Sequence, residues 1–160
     1  MTTPNDSHPI AIRRAALADL DVIVPLFEAY RAFYGKSPAA DRARDFLRAR
    51  LERDESVILL AERSADGGGT ETVGFAQLYR ALSSLSLGST MILNDLFVSP
   101  LARRTGAARR LVERSIEQAR TEGALRLELQ TQHTNVTARA LYDSLGFEED
   151  VEFAALSVGV

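Results

Sequence analysis

The chain has 160 residues, 46% hydrophobic and 26% charged, with a net charge of -3, no cysteine and two histidines. That length suits one domain with a substantial core, and the composition argues against global disorder. With only His8 and His133 and no thiol, disulfides, cysteine catalysis and most transition-metal sites lack their ligands, so no metal is expected.

The first ten residues, MTTPNDSHPI, have neither the basic start nor the apolar stretch of a signal peptide, and residues 1–8 are expected to form a flexible tail before a single domain over 9–160. The apolar runs fall short of the roughly 20 residues that a membrane span needs, so a cytoplasmic protein without a membrane partner is expected. IAIRRA, from Ile10 to Ala15, reads as a first strand. A helix capped by Asp19 follows, with Leu20, Ile23, Val24, Phe27 and Tyr30 at helical spacing and Gly35 and Pro38 closing it. A second helix is expected over about 39–53.

SVILLAER and TVGFAQLYR read as two strands joined by a glycine-rich hairpin turn, and after the loop SSLSLGS the strand MILNDLFV runs up to Pro100. Leu111, Val112, Ser115, Ile116 and Ala119 line one face of a helix that stops at Gly123. ALRLELQT alternates as a half-buried strand, NVTARALYDSLGF is a capped helix with a glycine stop, and EFAALSV makes a last strand. The order β-α-α-β-β-β-α-β-α-β predicts an α/β protein of mixed α+β type, a sheet flanked by helices.

One stretch invites chemistry. ARRTGAARRLVERS, residues 102–115, opens a helix directly after a strand, with arginines around small residues. The free N–H groups at a helix start attract anions. Small side chains at Gly106, Ala107 and Ala108 let phosphate oxygens approach, while Arg103 and Arg104 supply charge. The pattern lacks the lysine of a nucleotide P-loop and two of the three glycines of a dinucleotide fingerprint. A tight turn beside a solvated arginine face is the competing account.

Arg103-Arg104-Thr105-Gly106-Ala107-Ala108 resembles the Gln/Arg-x-x-Gly-x-Gly/Ala motif of the GCN5-related N-acetyltransferase (GNAT) superfamily. Asn135 to Phe147 resembles that family's second signature, Asn-x-x-Ala-x-x-x-Tyr followed by Gly-Phe. The resemblance implies the family's acyl-CoA N-acyltransferase fold, with a central, mixed, mostly antiparallel sheet. It also implies an enzyme that moves the acetyl group of acetyl-CoA, its cosubstrate, directly to an amine in a ternary complex.

By the same resemblance, the N–H groups from Arg103 through Thr105, Gly106, Ala107 and Ala108 hold the pyrophosphate. The backbone of Leu96, Phe97 and Val98 borders the cofactor, with Phe97 and Val98 pairing with its pantetheine arm as an added strand. Asn135 contacts that arm. Tyr142 matches the tyrosine that protonates the departing thiolate, a role suited to a phenol with a pKa of about 10.

For the base, Asp95 stands out as an acid in an apolar strand. LNDLFV resembles the Leu-Glu-Asp-Phe-Phe-Val of spermidine/spermine-type acetyltransferases, but their glutamate is Asn94 here. A water chain ending at Asp95 and a water oriented by Asn94 both stay open, as does a structural pairing of Asp95 with an arginine. RAFYG, Arg31 to Gly35, is similar to the first-helix end of the same acetyltransferases, so Tyr30 and Tyr34 are expected to border the pocket of a small, polyamine-like amine acceptor. A homodimer would fit the family. Two other functions compete: a non-catalytic CoA-binding sensor on the same fold, and a nucleic-acid-binding helix, which the acidic balance and Glu113 and Glu117 oppose.

Overall fold

The computed structural model describes residues 9–65 and 67–160, and the tail expected at 1–8 lies outside the described residues. The chain divides into a unit up to Gln130 and a second from Thr131 to Val160. In the first, β1 (Ala11–Arg14), α1 (Leu20–Phe33), α2 (Ala40–Glu52), β2 (Ser56–Ser64), β3 (Thr70–Ser83), β4 (Gly88–Val98), α3 (Ala107–Thr121) and β5 (Leu127–Leu129) follow one another, with 3-10 turns at 17–19 and 100–102. The second holds α4 (Val136–Ser144).

The five strands lie in sequence order, antiparallel from β1 to β4 and parallel between β4 and β5. β2 is buried from Ser56 to Ala61, the mark of a central strand covered on both faces. One face carries Ile58, Leu60, Phe75 and Phe97, packed with Leu20, Ile23 and Val24 of α1 and Leu47 of α2. Fully burying each such aliphatic side chain stabilises the fold by about 1.5–3 kcal/mol. Leu59, Ala61, Ala76 and Leu78 alternate onto the opposite face, and Leu111 and Val112 of α3, which packs on β2, β3 and β4, are fully buried.

Two hydrogen-bonded clamps fix α1. Arg13 grips the Asp19 carboxylate through both terminal nitrogens at 2.8 Å each, and the same carboxylate accepts the N–H of Ala16 at 2.7 Å. Asp19 therefore ties the 3-10 turn to β1 and does not cap α1 with its side chain, as the sequence pattern had suggested. At the other end Glu28 accepts the N–H of Ala39, at the start of α2, at 2.7 Å and Arg31 at 2.6 Å. Ala39 has no side chain to cap α2, and a carboxylate from the neighbouring helix serves that end instead.

The strands around the site differ in length from their expected spans. β3 and β4 extend toward each other until only Ser84–Leu87 separate them, and β5 keeps three of the eight residues expected of it. The last strand, EFAALSV, is absent: among the described residues no strand follows β5, and Val151, Phe153, Leu156 and Val158 are exposed. Alternating hydrophobicity describes a strand only when a ladder partner takes up its backbone groups, and none does so here.

Candidate functional site

β4 is where the sheet opens. β5 pairs with Met91, Ile92 and Leu93 only, so from Asn94 to Val98 β4 has β3 on one side and no strand on the other among the described residues. At the same point the register with β3 slips: Leu78 faces Leu93, Gln77 faces Asp95, and Asn94 faces no residue. An extra residue of this kind is a β-bulge, a device that re-aims side chains and ends regular pairing. β3 approaches the open segment closely, since a Cβ at Gly74 would lie 2.6 Å from the Phe97 carbonyl oxygen. Glycine is required there for the close approach of the Phe97–Val98 backbone.

The chain then passes through the 3-10 turn 100–102 into the loop before α3. Arg104 and Gly106 both take left-handed conformations, with φ of 65° and 86°. Gly106 is the N-cap of α3 and carries no side chain, so the first N–H groups of the helix, at Ala107 and Ala108, have no side-chain cap from that position. The Thr105 hydroxyl donates to the Ala102 carbonyl at 2.7 Å and pins the turn. Arg103 and Arg104 are exposed. The result is a run of backbone N–H groups at the positive end of a 15-residue helix, with two exposed arginines in the same loop, a donor set that suits a diphosphate. Arg110, farther along α3, is committed elsewhere: Nη1 donates to the Ile10 carbonyl at 2.7 Å.

Asp95 is 8% exposed, and the Asn94 side-chain amide donates to it at 3.0 Å. No ion pair joins Asp95 to an arginine among the described residues, so the structural pairing suggested for it is not found. Burial pushes the Tyr79 phenol up to about 12, with the Asp95 carboxylate adding to the rise and the Arg50 guanidinium partly opposing it. Tyr30 packs against Phe97 and Phe75 with ring centroids at 6.2 and 5.8 Å, and against Tyr34 at 5.2 Å. Arg103 lies over the ring of Phe33 at 6.0 Å.

The first unit thus gathers Tyr30, Tyr34, Asn94, Asp95, the Leu96–Val98 segment and the 103–108 loop around the end of α1 and the open length of β4. The other two sequence candidates lie in the second unit. Asn135 is the N-cap of α4, its Oδ1 accepting the N–H of Ala138 at 3.2 Å. Tyr142, in the last turn of α4, is buried and packs edge-on against Phe147 at 5.6 Å. Within the first unit, four residues near its candidates escaped the sequence reading: Phe33, Ser56, Gln77 and Tyr79. For Gln77 a signal was present, a lone amide in the apolar run VGFAQLY.

Residues 23–147 match the Acetyltransferase (GNAT) family. The chain is 46% identical over 149 residues to an uncharacterised N-acetyltransferase, YhfO, of Bacillus subtilis, covering 93% of this chain and 97% of that one. A crystal structure of a probable acetyltransferase superposes with a TM-score of 0.86 at 41% identity, covering 94% of this chain and 97% of the other. A thialysine N-ε-acetyltransferase of Caenorhabditis elegans is 37% identical over 79 residues, 49% of each chain.

Proposed function

Because this chain belongs to the Acetyltransferase (GNAT) family and is an N-acetyltransferase, we propose that it takes acetyl-CoA as cosubstrate and acetylates a primary amine of a small molecule. The observation that carries this is the continuous path from the one-sided segment of β4 into the left-handed turn at Arg104 and Gly106. An extended thioester arm finds unpaired strand backbone in the first and its diphosphate finds N–H donors and arginines in the second. When bound, acetyl-CoA supplies an activated acyl group: the amine nitrogen forms a bond to the carbonyl carbon as the carbon–sulfur bond breaks.

The residues divide the remaining work. The amine must shed a proton as the new bond forms, and Asp95, with Asn94 beside it, is the carboxylate to receive it, directly or through water. Tyr142 donates a proton to the departing thiolate, and Asn135 contacts the cofactor arm. Tyr30 and Tyr34 border the acceptor, where aromatic faces suit the alkyl stem of an amine or its ammonium. The relative named a thialysine N-ε-acetyltransferase supports a small-molecule acceptor. We place the enzyme in the cytoplasm, as one domain over 9–160 and with a homodimer compatible with the family. Among the described residues no helix is long and apolar enough to cross a membrane.

The test is thiol release from acetyl-CoA against polyamines, amino acids, thialysine, aminoglycosides and peptides, beside Gly106→Glu. Turnover with a small amine that Gly106→Glu abolishes is the expected result. Turnover confined to peptides overturns the acceptor class, and absence of acetyl-CoA binding overturns the proposal.

A further inference from the structure

Gln77 is fully buried in the middle of β3, yet its two polar atoms are treated unequally. Nε2 donates to the Ser56 hydroxyl at 2.9 Å, whereas Oε1 accepts no hydrogen bond. A buried acceptor left unmade costs about 1–3 kcal/mol, and an apolar residue of the same length would avoid that cost. Holding Ser56 accounts for the amine half of the side chain. It leaves the oxygen unexplained.

The sheet supplies an explanation. Gln77 lies directly opposite Asp95, so both side chains leave the same face with Cβ atoms about 4.5–5.5 Å apart. The neighbouring pair on that face is Phe75 with Phe97, the two rings that Tyr30 covers. On the other side stands Tyr79, with Arg50 of α2 and Glu55 as the charged groups that reach it. The bulge at Asn94 turns Asp95 toward this pair while Asn94 itself is exposed. A polar row therefore crosses the sheet, Ser56 to Gln77 to Asp95 to Asn94, from the buried centre to the length of β4 that β5 leaves unpaired.

The register sets the Gln77 amide beside Asp95, and with Nε2 engaged by Ser56 it is Oε1 that is left over. A carbonyl oxygen and a carboxylate, both acceptors, cannot bond to one another. They can share a group that carries two hydrogens. Resting on the acetyl-transfer function above, we propose that Gln77 is a positioning residue of the acceptor site: Oε1 and Asp95 together hold the proton-bearing group, a water or the acceptor's own nitrogen, through which the amine's proton reaches the Asp95 carboxylate. The proton balance is closed. The nitrogen loses one proton as its bond to the acyl carbon forms, Asp95 gains it, and Gln77 exchanges none.

The experiment is steady-state kinetics with the amine that turns over in the panel, from about pH 6 to about pH 10, on the parent, Gln77→Met and Gln77→Glu. Gln77→Met keeps the length of the side chain but removes both the oxygen and the nitrogen that holds Ser56, so Ser56→Ala is run beside it and is expected to leave the amine kinetics near parental values. Gln77→Met is expected to lower kcat/KM for the amine about tenfold or more with the KM for acetyl-CoA unchanged. A loss carried by kcat assigns the shared group to water, and one carried by the amine's KM assigns it to the acceptor nitrogen. Gln77→Glu sets a second carboxylate against Asp95, so one of the pair holds its proton to higher pH and the rise of rate with pH moves upward.

A Gln77→Met enzyme with parental kcat, KM and pH profile overturns the inference and leaves the acetyl-transfer function standing. Should Gln77→Met fail to fold, an unshifted pH profile in Gln77→Glu overturns it equally. A parent that neither binds acetyl-CoA nor turns over any amine overturns both.

Discussion

The guanidinium of Arg103 lies over the ring of Phe33, 6.0 Å from its centroid, and joins the loop before α3 to the last turn of α1. The contact links two segments far apart in sequence, one proposed to hold the diphosphate and the other to border the acceptor. Phe33 is mostly exposed, 62%, so packing into the core does not account for its position.

If the ring steadies Arg103 for the diphosphate, Phe33→Ala raises the Kd for acetyl-CoA about two- to fivefold, the equivalent of an exposed cation–π contact of about 0.5–1 kcal/mol. Arg103→Ala raises it more, because it also removes a charge. The double variant separates the two effects: coupling is expected, and strictly additive losses in a calorimetric titration exclude the link.

At Gly106, φ is 86° and a Cβ would meet nothing within 4 Å. Gly106→Ala is therefore expected to cost about 1–2 kcal/mol in urea unfolding from backbone strain alone. Gly106→Asn costs less, because asparagine tolerates that conformation. Equal losses for the two would mean that strain is not the cause.

Tyr142→Phe removes a hydroxyl and keeps the ring that packs on Phe147. With the acid role proposed for it, kcat falls about tenfold or more while acetyl-CoA affinity stays near the parental value. A drop in Tm with unchanged kcat would instead make Tyr142 a structural residue.

The Arg13–Asp19 clamp gives a pH signature. The hydrogen bonds from Arg13 hold the Asp19 carboxyl below its ordinary range, with the Ala16 N–H acting in the same direction. A depressed folded-state pKa adds stability that is present above the unfolded value of about 3.9 and is lost as pH falls through the lower folded value. Asp19→Asn is therefore expected to cost about 1–2 kcal/mol near neutral pH. The gap from the parent closes as the solution is acidified below about pH 4, and a gap constant with pH excludes the clamp as its source.

Much of this protein is written locally. The spacing of Leu20, Ile23 and Val24 marks the buried stripe of α1, the apolar run of β2 marks a strand covered on both faces, and Gly106 before two alanines marks the turn into α3. These features depend on residues a few positions apart, where periodicity and backbone conformation decide the outcome. The same locality explains what went wrong at the end of the chain. EFAALSV carries strand alternation, but a strand is made by its partner, and residues 151–158 have none among the described residues.

Composition, periodicity and the two motifs determined the class of fold, the order of its elements up to α4 and the family, because each is a short-range property of the chain. Only the tertiary structure decided that β5 stops pairing at Leu93, that Asn94 is the bulged residue, that Asp95 faces Gln77, and that Phe33 meets Arg103. Register between strands and contact between distant segments are set by how the whole sheet and its helices pack, and no window of sequence contains both partners.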